Sequence, residues 1–394
     1  MSNELINRSA DLKKLRDAGY EVEIRGGFLL VGSVPYFNHE KTIRTGTLVS
    51  ELTLAGERTA LPGTHIVYFI GEYPCNIDGS EITALKHENR QQKLAEGLVI
   101  DRSFSNKPPD GYPDYYEKIT RYVDIISAPA ESIDEKATAK TFKVIVSEEA
   151  DSVFQYLDTN SSRAEIDIVS DKLKAEKIGI IGVGGTGAYV LDLVAKTPVA
   201  EIHLFDRDEF LQHNAFRSPG AASIRKLEQK PHKVDYLKGI YSKMHKKIFT
   251  HKCFISSEST HLLEGLSFVF ICMDKGAAKK AIIEKLEEMG TSFVDVGMGV
   301  EMVDDRLLGI VRITSSTANK RNHIRENKLI SFSDVAAKDD YAENIQIADL
   351  NALNAALAVI KWKKIVGYYD DQKNEHSSTY TLNVNMLLND DYET

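Results

Sequence analysis

The stretch Lys177-Ile178-Gly179-Ile180-Ile181 runs into Gly182-Val183-Gly184-Gly185-Thr186-Gly187, and Ala188–Lys196 follows. A short β-branched run enters a glycine loop, and an apolar helical pattern leaves it. Gly182 allows a tight turn, Gly184 lets backbone approach a phosphate, and Gly187 permits close packing of helix on strand. The helix start adds free N–H groups and the positive end of a dipole, which suits an anion. G-x-G-x-x-G alone is a weak signal, but here strand, turn and helix surround it. The next apolar run, Glu201–Phe205, ends in Asp206, where an acid can accept ribose hydroxyl hydrogen bonds. Nucleotide binding at Gly182, Gly184, Gly185, Gly187 and Asp206 is therefore expected, rather than a βα turn with no ligand.

Outward from the loop, short apolar runs alternate with helical patterns. The runs are Phe249–Ile255, Ser267–Met273 and Ser292–Val296; the patterns are Lys230–Met244 and Gly276–Met289, the latter with Ile282, Leu286 and Met289 on one face. A long helix over Ile347–Val366 carries Leu350, Leu353, Leu357 and Ile360 down one side. This alternation predicts an α/β domain with a Rossmann-like, mostly parallel sheet over residues 161–394. The first part reads differently. A short helix over Leu5–Leu15, closed by Gly19, precedes strand runs Tyr20–Ile24, Phe28–Val31, Leu48–Leu54 and His65–Ile70, with turns at Gly26-Gly27 and Pro62-Gly63. A smaller α+β domain over residues 1–160 is expected. Asn106–Tyr116 holds three of the ten prolines and several tyrosines, which predicts a packed loop. Glu131–Lys140 and Asp158–Ser162 mark the boundary region.

Composition bounds the function. A chain of 394 residues suggests two domains, and 42% hydrophobic with 27% charged residues excludes a disordered chain. No run approaches the ~20 apolar residues of a membrane span, and Met1–Asn7 is too polar to open a secretory signal. A net charge of −9 argues against a general binder of nucleic acid or anionic membrane. Cys75, Cys253 and Cys272 are odd in number, far apart and never in a C-x-x-C pair, so neither a disulfide framework nor a four-cysteine zinc site is expected. A cytoplasmic protein of a reducing compartment follows.

Further polar residues refine the nucleotide. Asp206-Arg207-Asp208 is followed by Asn214 and Arg217, then by Lys230 and Lys233 at a helix start, and the fourth run ends in Cys272-Met273-Asp274. In a parallel sheet these strand ends gather along one crevice. An arginine and a lysine there supply positive charge for a triphosphate, and Asp274 offers a hard oxygen ligand for Mg2+. Hydride transfer needs none of these groups, whereas attack of a carboxylate on an α-phosphate does. An NAD-dependent oxidoreductase is the poorer reading.

The ordered set Gly-x-Gly-Gly-x-Gly, Asp-x-Asp, Asn-x-x-Arg, a lysine at the next helix and Cys-x-Asp resembles the ThiF/MoeB superfamily, the E1-like, ubiquitin-activating-type adenylyltransferases. The resemblance covers most of Ser162–Thr394. It implies binding of ATP and Mg2+ and adenylation of the C-terminal glycine carboxylate of a ubiquitin-like protein. It also implies the glycines at the phosphates, Asp206 on the ribose, and Asn214 and Arg217 at the phosphates and transition state. Lys233 then matches the family lysine, with Lys230 as its competitor, and Asp274 the magnesium aspartate. Arg163 is the candidate for an arginine that crosses a homodimer to the γ-phosphate. Phe293–Gly299 resembles the strand and loop after the magnesium aspartate, and Asn344–Ala348 the wall of a channel for the substrate's tail.

Two departures matter. The family's zinc-binding C-x-x-C pairs are absent, so no zinc is expected. The stretch Thr314–Ile345 lacks the cysteine that carries a thioester in ubiquitin-activating enzymes. That leaves direct hand-off of the acyl-adenylate, an oxyester on Ser315, Ser316, Thr317, Ser331 or Ser333, or, less favoured, transfer through Cys75. The first domain has the helix-then-strands start of a ubiquitin-conjugating (E2-like) domain, and a ubiquitin-like protein or an E2-like protein is its expected partner. Activation of a sulfur-carrier protein for cofactor biosynthesis and an inactive scaffold are the alternatives. A bacterial conjugation pathway, with a role in antiphage defence, is an expectation by analogy only.

Overall fold

The computed structural model describes residues 2–143, 152–164, 166–273, 276–332 and 345–389. The chain divides into two compact units, Met1–Asp171 and Lys172–Thr394. In the first, helices α1 (Ser2–Arg8) and α2 (Ala10–Asp17) break at Ser9 where one helix was expected. An antiparallel sheet follows, built from β1 (Glu21–Arg25), β2 (Phe28–Phe37), β3 (Ile43–Glu51), β4 (Ile66–Ile70), β5 (Lys86–Glu88) and β6 (Arg102–Ser105), in the order β1-β2-β3-β4-β6-β5.

Helix α3 (Tyr115–Ile133) packs on this sheet through Tyr115, Ile119, Tyr122, Val123 and Ile126. Asp114 caps it, its side chain accepting from the Glu117 N–H at 2.8 Å. The expected loop therefore ends at Asp114, and Tyr115 and Tyr116 open a helix instead. The loop itself is tied to that helix: the Tyr122 hydroxyl accepts from the Asn106 N–H at 2.6 Å and donates to the His65 carbonyl at 2.6 Å.

The second unit holds an eight-stranded sheet. Its strands are β7 (Lys177–Ile181), β8 (Glu201–Phe205), β9 (Ile248–His251), β10 (Phe268–Ile271), β11 (Ser292–Val303), β12 (Arg306–Ser316), β13 (Ser377–Thr381) and β14 (Met386–Asn389). They lie in the order β9-β8-β7-β10-β11-β12-β13-β14; the five strands β7 to β11 are mutually parallel, and β12, β13 and β14 each pair antiparallel with the strand before. The chain moves outward from β7 to β9 and then returns to β10 on the other side of β7. The carboxyl ends of β7 and β10 therefore flank a topological switch point, where an open α/β sheet forms its crevice.

Helices cover both faces. Helix α4 (Gly185–Val194), α6 (Lys233–Tyr241) and α8 (Ala348–Ile365) share one core with Ile178, Ile180 and Leu204. Helix α7 (Gly276–Glu288) packs Ile282, Ile283 and Leu286 on the other. Of the expected stripe on α8, Leu350 is buried and Leu353 and Leu357 pack half-buried beside it, and the buried face extends further. Asn351, Asn354, Ala355, Ala358 and Trp362 are buried, while Ile360 is exposed. Small side chains let α8 approach α4 closely, and an added Cβ at Gly185 would lie 2.2 Å from the Asn351 amide nitrogen.

Candidate active site

The glycine loop takes the course its sequence demands. Gly182 has φ +83°, a left-handed conformation that favours glycine, and its N–H donates to the Phe205 carbonyl at 2.8 Å. At Gly187 a Cβ would sit 1.9 Å from the Gly182 carbonyl oxygen, so only glycine lets α4 start this close to β7. At Gly184 an added Cβ would meet no atom within 4 Å, so the loop is open on that side.

A cleft of about 470 Å3 lies at these strand ends. Gly182, Gly184, Gly185, Asp206, Asp208, Arg217 and Lys233 line it, together with Cys272, Gly297 and Asn354. Asp206 is buried at the base. Its carboxylate accepts the Val183 N–H at 3.0 Å and the Asp208 N–H at 2.8 Å, which ties the glycine loop to the end of β8. Burial raises its pKa above the usual carboxylate range, opposed chiefly by the nearby Lys233. Lys233 is itself buried, and its ammonium donates to the Asp208 carboxylate at 2.7 Å. Its approach is fixed by backbone, since the Lys233 N–H donates to the Asp208 carbonyl at 2.9 Å.

The other expected residues fall in different places. Lys230 is exposed, in a left-handed turn, and is not among the lining residues. Asn214 is not on the wall either. It is buried in α5 (Gln212–Ala215), where its amide oxygen accepts the Leu211 N–H at 2.8 Å. Its geometry holds the turn that presents Arg217, whose N–H donates to the Asn214 carbonyl at 3.2 Å. Asp274, Ser333 and Asn344 lie outside the described residues, and so does the side chain of Arg163. Among the described residues no group of three His, Cys, Asp or Glu gathers as a metal site.

Three features escaped the sequence. Asn351, on α8, accepts from the Thr186 hydroxyl at 2.8 Å and donates to the Arg217 carbonyl at 3.4 Å. It thus joins the glycine loop to the arginine turn. Asn354, one turn later, donates to the Gly297 carbonyl at 3.0 Å, and no described residue partners its amide oxygen. Two asparagines inside a helix, where their propensity is poor, were the available signal. Behind Gly297, Asp295 is fully buried between Lys279 (2.6 Å) and Arg312 (2.9 Å), an ion triad that fixes α7, β11 and β12 to one another. A buried carboxylate of this kind is tolerable only with its cations in place.

The remaining transfer candidates sort by burial. Ser315 and Ser316 belong to β12 and are buried, so they are strand residues rather than loop nucleophiles. Thr317 is half-buried and Ser331 exposed. Cys75 is 1% exposed, its thiol donates to the Tyr73 carbonyl at 3.3 Å, and burial followed by nearby carboxylates pushes its pKa up. A nucleophilic cysteine needs the opposite, so Cys75 is a packing residue.

Residues 160–386 match the ThiF family. The chain belongs to the ThiF family. Residues 10–159 match a domain of unknown function, DUF6791. No curated protein is detectably similar in sequence. Among solved structures, E. coli MccB with AMPCPP and MccA is 17% identical, with 71% of this chain and 82% of that chain covered and a TM-score of 0.48. E. coli MccB with ATP is 18% identical, with coverages of 58% and 67% and a TM-score of 0.47. The corresponding values for PaaA are 15%, 57%, 75% and 0.45. ThiF proteins are adenylyltransferases that use ATP, and the second unit carries their type of Rossmann-like sheet.

Proposed function

We propose that this protein uses ATP to adenylate the C-terminal carboxylate of a ubiquitin-like protein. The observation that carries the reading is a single cleft, at the switch point of a ThiF-family sheet, lined by the glycine loop, Asp206, Arg217 and Lys233. Asp206 receives the ribose, and the glycine loop with the start of α4 receives the phosphates. The sheet order puts Gly297 and Asn354 three strand spacings from Asp206, roughly 14 Å, which is room for an acyl group beyond the nucleoside.

A carboxylate and a triphosphate repel each other. Arg217 and Lys233 neutralise the charge that develops on the α-phosphoryl group, and removing one such preorganised donor typically costs about 3 kcal/mol. The nucleophile is already ionised at neutral pH, so no general base is needed. Asp274, matched by the family motif, is the residue that would hold a magnesium ion. When bound, that ion supplies charge for the leaving pyrophosphate. Arg163 contributing from a second copy of the chain, and Asn214 positioning Arg217, complete the proposed site.

Absence of a cysteine in 314–345 favours direct hand-off of the acyl-adenylate to a partner, an E2-like protein by analogy, with Thr317, Ser331 or Ser333 as oxyester alternatives. ATP–pyrophosphate exchange, measured with ubiquitin-like proteins that end in glycine, tests the proposal. Exchange that requires such a protein and disappears in Arg217→Ala is expected. Full exchange in Arg217→Ala overturns the site assignment.

A further inference from the structure

His213 lies on α5 and lines the same cleft as Arg217 and Lys233. Its side chain is exposed, and no described residue hydrogen-bonds the ring. The charged groups around it are Arg217 at the end of its own turn, Lys233 on α6, and the Asp208 carboxylate that Lys233 holds. Asp206, at the base, accepts one backbone amide on each carboxylate oxygen. An unpartnered imidazole beside two cations has no structural task at this rim. Its two nitrogens are suited to one, because either N–H can donate to a phosphate oxygen.

We propose that His213 is a third ligand of the nucleotide phosphates, converted to imidazolium as the nucleotide binds. This inference rests on the nucleotide reading of the cleft. In the free protein, partial burial, then Arg217, then Lys233 hold the imidazole below its ordinary pKa and favour the neutral ring. A triphosphate placed among these three side chains reverses the local field and favours the charged ring. The proton comes from solvent and stays on the ring, whose N–H then donates to a non-bridging oxygen in a charge-assisted bond.

The sign follows from linkage. Binding raises the imidazole pKa, so binding takes up a proton and tightens as pH falls. The gain is complete below the free-state pKa and is lost above the bound-state pKa. Calorimetry of MgATP binding to the full chain, wild type and His213→Gln, between pH 6 and pH 8 tests this. Pairs of buffers with different ionisation enthalpies report proton uptake. Comparison with the variant cancels protonation of the nucleotide itself.

The affinity ratio of wild type to variant is expected to grow to about tenfold at pH 6, with more proton uptake in the wild type than in the variant. Identical pH profiles and identical proton uptake overturn the inference and leave the nucleotide site standing. No MgATP binding by either protein overturns the nucleotide reading, and the inference with it. NMR titration of the His213 ring gives an independent readout: its midpoint rises when MgATP is added, and a midpoint that stays put overturns the proposal.

Discussion

The two units bury polar side chains to opposite ends. In the first, Lys118 is fully buried on α3, and its ammonium donates to the Ser50 hydroxyl at 2.9 Å and the Thr64 carbonyl at 2.9 Å. Those partners are internal, and the lysine serves as a clamp between helix and sheet. In the second, Asn354, Asp206 and Lys233 are buried as well, yet they line an open cleft. Chemistry is found where buried polar groups face a common space. Where they satisfy one another, they specify the fold.

The comparison breaks most directly at Lys233. Lys233→Ala is expected to lower ATP–pyrophosphate exchange by about 10²- to 10³-fold, and near-normal exchange would make its contact with Asp208 merely structural. The glycine loop gives the next largest contrast. Gly187→Ala forces a Cβ to within 1.9 Å of the Gly182 carbonyl and is expected to destabilise the second unit by about 1–3 kcal/mol or more. Gly184→Ala meets no protein atom, so its melting temperature should match the wild type while its nucleotide affinity falls. Equal melting of both variants would contradict the distinction.

Lys118 sharpens the first half of the comparison. Burial lowers its pKa to about 7. Between that value and the ordinary 10.5 the unfolded chain binds more protons than the folded one, so stability rises with pH across this window. Unfolding of the first unit should shift upward by several degrees between pH 7 and pH 9.5, and Lys118→Met should flatten the slope. A pH-independent midpoint in the wild type would show that burial does not lower this pKa. The smallest effect belongs to Cys75. Cys75→Ala should leave exchange and any transfer unchanged at a cost of about 1 kcal/mol in stability, and lost transfer with intact exchange would return the thiol to the mechanism.

How much of this was legible depended on sequence distance. Strands β7 and β8 and the turn at Gly182 were readable because all their determinants lie within about thirty residues. The roles of Gly185 and Asn351 were not, because they meet across 166 positions of chain and are defined only by close approach of α4 and α8. The part of α8's buried face beyond its leucines is hidden for a related reason: hydrophobic periodicity follows leucines, and this part uses alanine and asparagine to bring backbones together. Helix α3 was hidden by Pro129 and by tyrosines that also suit a loop. The motif places Asn214 at the phosphates; in the structure its amide oxygen and carbonyl brace the turn that carries Arg217.

In the proposed reaction this cleft joins AMP to a protein carboxylate. Intact-protein mass spectrometry of ubiquitin-like proteins that end in glycine, after incubation with the full chain and MgATP, tests it. A mass increase of one adenylate, absent with Arg217→Ala and lost on adding a nucleophilic amine, is the predicted result. No adenylate on any of them, with ATP left intact, or the same adduct from Arg217→Ala, would contradict it.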